Sequence, residues 1–158
     1  MNTDGRISVE FHGVRGSTPC HGPDVSRYGG NTSCVSLSAP GEEPLLFDLG
    51  TGLRLVGQQI AADQPFVGNV LLSHLHWDHV QGLPFFRPLL ADGARMTIFA
   101  PVQDDGRHPG DVLLMTIRPP LFPVHLHEIK GTVAVHRAPP EFEIGGFCHY
   151  GAPYPGRA

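Results

Sequence analysis

The sequence is poor in cysteine, poor in charge and free of long apolar runs. Its three cysteines, Cys20, Cys34 and Cys148, are odd in number and form no C-x-x-C pair. That argues against a disulfide framework. Charged residues make up only 16% of the chain, with a formal net charge of −4. Nonspecific adhesion to nucleic acid is therefore not favoured over the molecule as a whole, although a local basic groove stays open. No run approaches the roughly 18 apolar residues of a membrane helix. Met1-Asn2-Thr3-Asp4-Gly5-Arg6 lacks an apolar signal core. The chain is expected to be soluble and cytoplasmic, with no membrane partner. No internal repeat or low-complexity tract is present.

Glycine and proline, in contrast, are plentiful, at 20 and 16 of 158 residues. Loops and turns are expected rather than long helices. The apolar share of 41% is ordinary for a globular protein, and the length suits one domain with a real core.

The most informative stretch is Ser73-His74-Leu75-His76-Trp77-Asp78-His79. Asn69-Val70-Leu71-Leu72 just before it reads as a buried strand. A strand that ends in a ligand-rich loop is a rigid mount for metal. Imidazole suits zinc, and imidazole with carboxylate also admits manganese or iron. Four donors so close together exceed what one tetrahedral site easily takes from one loop. The natural division is His74 with His76 on one ion and Asp78 with His79 on a second. The bland alternative is a surface loop that is histidine-rich by chance, which leaves the spacing and the preceding strand unexplained.

Elsewhere the patterns are simpler. Residues 6–12 alternate, with Ile7, Val9 and Phe11 on one side and His12 on the polar side, so His12 is expected at the surface. A long turn-rich loop follows to Thr32, carrying Arg15 and Arg27. Each can meet an anionic substrate or simply face water. Cys20 and His21 carry no signal. Residues 33–38 and Leu45-Leu46-Phe47 read as a hairpin that delivers Asp48. Thr51 is a candidate N-cap for a helix carrying Leu53, Val56 and Ile60. His79 to Leu90 reads as a second helix weakened by Gly82 and Pro84. Met96 to Phe99 is a strand, and Asp111 is a candidate cap for a helix to Ile117. His125-Leu126-His127 repeats the His-x-His spacing, but a surface reading is favoured, as it is for His136. Glu141 to Phe147 suggests a last strand or turn. Hairpins followed by alternating helices and strands predict an α/β (α+β) domain, a mixed sheet with helices on its outer side.

His74-x-His76-x-Asp78-His79 resembles the signature of the metallo-β-lactamase superfamily. Leu46-Phe47-Asp48-Leu49-Gly50-Thr51-Gly52 is similar to the superfamily's strand-end aspartate motif. Phe11 to Ser17, Arg27 to Cys34, Gln81 to Phe86 and Pro120 to Val124 resemble the branch close to ribonuclease Z and the bacterial phosphodiesterases. The resemblance covers roughly residues 6–147. It implies the N-terminal half of a four-layer αββα sandwich and a site for two Zn2+ ions. It also implies hydrolysis of a small-molecule or nucleotide phosphodiester by a metal-bound hydroxide. On that analogy Asp78 is both ligand and orienter of the nucleophile, and Asp48 supports the ligand loop by hydrogen bonds.

The match breaks late in the chain. The family carries a third histidine, a bridging aspartate and a final histidine after the first cluster. His149 is the best candidate for the third ligand by order, with Tyr154 in a competing position. No aspartate follows Asp111. The expectation is a single domain over residues 1–158, truncated at its C-terminus. The alternative to an enzyme is a non-catalytic metal-binding or interaction remnant, or a site completed by a second chain. A sheet face left uncovered would invite self-association.

Overall fold

The computed structural model describes residues 6–139, 141–144 and 147–150. Six strands form one mixed sheet in sequence order: β1 (Ser8–Gly13), β2 (Cys34–Ser38), β3 (Leu45–Phe47), β4 (Val67–Leu71), β5 (Arg95–Ala100) and β6 (Thr132–Arg137). β1, β2 and β3 are antiparallel, while β3 to β6 are parallel. Short turns suffice for the first group, and the second needs crossovers. These are α1 (Leu53–Gln59), a segment containing α2 (Trp77–Val80), and α3 (Pro109–Thr116). A separate hairpin pairs β7 (Glu141–Ile144) with β8 (Phe147–Tyr150).

The crossovers cover one sheet face. Leu46, Val70, Met96 and Ile98 pack there with Leu53, Val56, Leu83, Phe86, Leu113 and Ile117 in one buried cluster. Cross-strand partners share a face, so the register places Phe11, Val35, Phe47, Leu71 and Phe99 in a row on the other side. There Leu45 and Leu71 pack with Ile144, and Phe99 and Phe147 join them. Towards β1 this cover runs out: Val9 is 52% exposed and Phe11 71% exposed.

The mixed sheet and the β2–β3 hairpin match expectation, and four local readings are corrected. His12 is buried, not at the surface, and its Nε2 lies 2.7 Å from Ser36 Oγ. The alternation was right, but α1 docks on the polar side of β1, where Gln59 reaches Glu10. Thr51 does not cap α1. Gly52 holds that position, and Thr51 instead exchanges hydrogen bonds with Thr32, at 2.9 and 2.8 Å. The helix expected to Leu90 stops at Val80 and gives way to 3-10 turns at Leu83–Phe85 and Arg87–Leu90, each with a proline in its first two positions. α3 is capped by His108, whose side chain accepts from Gly110 N–H, leaving Asp111 in the first turn.

Candidate metal centre

Two strand ends build the site. β3 delivers Asp48 with a left-handed φ of 60°, an uncommon conformation that asparagine and aspartate adopt more readily than other residues. Asp48 N–H bonds Leu71 O at 3.1 Å, which ties that turn to the end of β4. Leu49 N–H bonds His79 O at 2.7 Å, and Gly82 N–H bonds Leu49 O at 2.8 Å, stitching the same turn to α2. The approach is close enough to require glycine: a β-carbon on Gly50 would stand 2.5 Å from Asp78 O.

The Asp48 carboxylate is buried and collects donors on both oxygens. Ser73 gives its N–H at 2.9 Å and its hydroxyl at 2.8 Å to Oδ1. Ser33 Oγ at 2.9 Å and His79 Nδ1 at 2.8 Å reach Oδ2. A carboxylate only accepts, so His79 carries its proton on Nδ1 and keeps a lone pair on Nε2 in the neutral ring. Ser73 has given its proton to Asp48, so its oxygen accepts from His74 Nδ1 at 3.0 Å. His74 is thereby also left with its lone pair on Nε2. One aspartate fixes two imidazoles, the first directly and the second through a serine.

The rings gather closely. His74 lies 4.3 Å from His76 and 4.0 Å from His79 between ring centroids. His79 Nε2 is 3.4 Å from Asp78 Oδ2. That same oxygen accepts Ser17 N–H at 2.8 Å, which draws the long 13–32 loop onto the site. Burial, then the neighbouring His79 and His76, pushes the His74 pKa below the usual histidine value, so this ring favours the neutral, ligating form. Burial pushes Asp78 upward, but the Ser17 N–H bond and the histidines outweigh it, and its carboxyl sits below its ordinary value. Cys34 nearby is no nucleophile: burial, then Asp48, pushes its thiol up to about 12.

In its chemistry the donor set fits a metal, because ligating histidines typically give their other ring N–H to a carboxylate or similar acceptor. Among the described residues, however, no three His, Cys, Asp or Glu side chains are grouped so as to hold one ion. The loop offers pairs of donors, and any further ligand lies beyond them. His149 sits on β8 opposite Phe142, but its side chain, like the whole of Tyr154, lies outside the described residues.

A cavity of about 590 Å³ opens beside His74 and His76 and is walled on its far side by residues 101–107. Arg107 lines it, whereas Arg15 and Arg27 do not. Arg15 N–H bonds Asn31 O within the long loop, and the Arg27 guanidinium lies 4.9 Å from the centre of the Tyr28 ring. The second His-x-His is no strand: His125 precedes a 3-10 turn at Leu126–Glu128. Sequence reasoning missed Ser17, which acts through its backbone N–H and leaves no side-chain signal. It also missed Arg107, which a distant loop brings to the site.

No family model matches the sequence, and no curated protein matches it. Solved structures do. The metallo-β-lactamase fold protein YhfI from Bacillus subtilis superposes with TM-score 0.60 at 16% identity, over 90% of this chain and 50% of that one. The chain has a metallo-β-lactamase fold. Human tRNase Z short form (ELAC1) matches at TM-score 0.56 and 25% identity, covering 84% of this chain and 45% of that one. Zn2+-bound PqqB from Methylobacterium extorquens matches at 0.55 and 22%, covering 88% and 52%. The chain spans about half the length of these metallo-β-lactamase-fold structures. No helix among the described residues is long and apolar enough to cross a membrane.

Proposed function

We propose that this chain is a metal-dependent hydrolase acting on phosphodiesters. The observation that carries the reading is the Asp48–Ser73 relay, which leaves Nε2 of both His74 and His79 as a lone-pair donor. His74 and His76 would hold one zinc ion, and Asp78 and His79 a second, with His149 as a further ligand. Manganese or iron would suit the same donors. Such an ion supplies Lewis acidity, by which water loses a proton near neutral pH and a phosphoryl oxygen is polarised. The chain's own part is to keep these rings neutral and aimed, and to hold Asp78 ionised where it can orient the attacking water. Arg15 and Arg27 would add anion contacts at the rim. Likeness to a tRNase Z supports a phosphodiester substrate, small or nucleotide in nature. We take residues 1–158 as one domain and place it in the cytoplasm, in keeping with its free cysteines Cys20 and Cys34.

A second reading is a non-catalytic metal-binding remnant. It is favoured by the lack of any three-donor group among the described residues. Assay of bis-p-nitrophenyl phosphate with added zinc or manganese separates the two. Weak metal-dependent turnover, abolished by Asp78→Ala, is expected of the hydrolase. Bound zinc without turnover would establish the remnant instead. We also infer self-association through the face bearing Val9, Phe11 and Phe47, exposed by 52%, 71% and 37%. Light scattering should show a concentration-dependent dimer or larger species, weakened by Phe11→Ser, and a monodisperse monomer would refute it.

A further inference from the structure

The wall of the cavity opposite the histidines is a built turn. Gly106 N–H bonds Gln103 O at 2.9 Å, and Gly106 has a φ of 78° that favours glycine. Arg137 at the end of β6 reaches Gly106 O at 3.4 Å. Within this turn Asp105 takes Arg107 N–H on Oδ1 at 3.1 Å and Arg107 Nε on Oδ2 at 2.6 Å. The Arg107 N–H and guanidinium together hold the Asp105 carboxyl below its usual value. Arg107 Nη1 also contacts Met115 Sδ at 3.5 Å. The guanidinium is thus fixed at its Nε side, and its outer nitrogens remain for a ligand. A planar fork held in this way is preorganised for a phosphoryl group.

The remaining lining narrows the choice. Pro101, Val102 and Val112 offer apolar surface, and Gln103 donates its side-chain N–H to Pro101 O. Asp104 stands exposed on the same wall, adding a second carboxylate to that of Asp105. Against one arginine, two carboxylates leave this wall with no surplus positive charge. A ligand with two negative charges is opposed there, and one with a single charge is tolerated. The volume, about 590 Å³, lies within the usual range for a small-molecule site.

We infer that Arg107 is a specificity-determining residue: held by Asp105, it takes the single negative charge of a phosphodiester lying beside His74 and His76, while Asp104 discriminates against dianionic monoesters. This rests on the hydrolase reading for the identity of the site, but its test does not need turnover. The metal-free chain is titrated calorimetrically at pH 8 with bis-p-nitrophenyl phosphate, a monoanion, and with p-nitrophenyl phosphate, a dianion. Arg107→Ala should weaken diester binding about tenfold or more, the effect of losing one charge-assisted contact. Arg107→Lys should recover part of that, and Arg54→Ala, on the exposed side of α1, should change nothing. Asp104→Asn should strengthen monoester binding and leave the diester nearly unchanged. Diester binding that is absent from the parent chain, or equal in Arg107→Ala, overturns the inference. So does an Asp104→Asn effect that is equal for both ligands. Metal-dependent turnover that survives Arg107→Ala with unchanged KM would uphold the hydrolase and remove Arg107 from it.

Discussion

The chain contains His-x-His twice, and the two copies have different fates. His74 and His76 follow a buried parallel strand, and Asp48 governs the tautomers of His74 and His79. His125 and His127 flank the first residue of a 3-10 turn, their rings stacked at 5.0 Å and 28°. The only acid close to that pair, Glu128, is spent on the backbone, accepting His125 N–H at 2.6 Å. Spacing is the same in both. The difference is a carboxylate that arrives from another strand and meets the imidazole nitrogen rather than the main chain. Donor spacing proposes a ligand pair, and the supporting shell decides whether the rings are aimed.

The largest test of this contrast is to remove the carboxylate. Asp48→Ala leaves the Ser33, Ser73 and His79 donors without their common acceptor. Each such buried group costs about 1–3 kcal/mol, so a large fall in the melting temperature is expected. Zinc affinity should fall by about 10–100-fold, as is typical when a supporting partner is lost. Ser73→Ala keeps the backbone bond to Asp48 and should lose less of both. Glu128→Ala should leave zinc binding unchanged. Thermal melts and zinc titrations check the series, and equal losses in Asp48→Ala and Glu128→Ala would erase the distinction between the pairs.

A direct comparison of the ligands comes next. His76 is exposed and bears little on stability, so His76→Ala should fold normally and lose most of its bound zinc. His125→Ala should retain it. Metal content of the purified variants gives the answer. Retention in both would sink the assignment of the first pair, and loss in both would make the second pair a site as well.

Much of this contrast was legible in the sequence. The apolar run at 69–72 announced the strand beneath His74, and Leu45-Leu46-Phe47 announced the strand that delivers Asp48. Local chemistry also gave the β2–β3 hairpin. What was not legible depends on which distant surfaces meet. Alternation along β1 showed two faces, but only the docking of α1 decides that the polar one is covered. Prolines Pro84 and Pro88 were visible, yet the apolar spacing of Val80, Leu83 and Phe86 still suggested one helix. Those side chains do enter the core, carried there by 3-10 turns instead. Arg107 was invisible for the same reason as Ser17: both act at a site assembled by loops far from it in the chain.

His12 supplies the smallest test and a third kind of histidine. It is buried like His79, but its ring nitrogen meets the Ser36 hydroxyl at 2.7 Å, and the nearest carboxylate, Glu10, lies 4.0 Å away. Burial lowers its pKa below the ordinary histidine value of 6.5, with Glu10 opposing the shift more weakly. Protonation then favours the unfolded chain, where the ring is solvated. Stability should hold above pH 6.5 and decline as pH falls through that value towards the folded pKa, since the unfolded state binds the extra proton across that window. His12→Asn removes the titrating ring and can still reach the hydroxyl. Metal-free melts between pH 8 and 5 should therefore fall less steeply in His12→Asn than in the parent. Parallel slopes would mean that Glu10, despite its distance, serves His12 as Asp48 serves His79, and that burial without a bonded carboxylate is not a separate case.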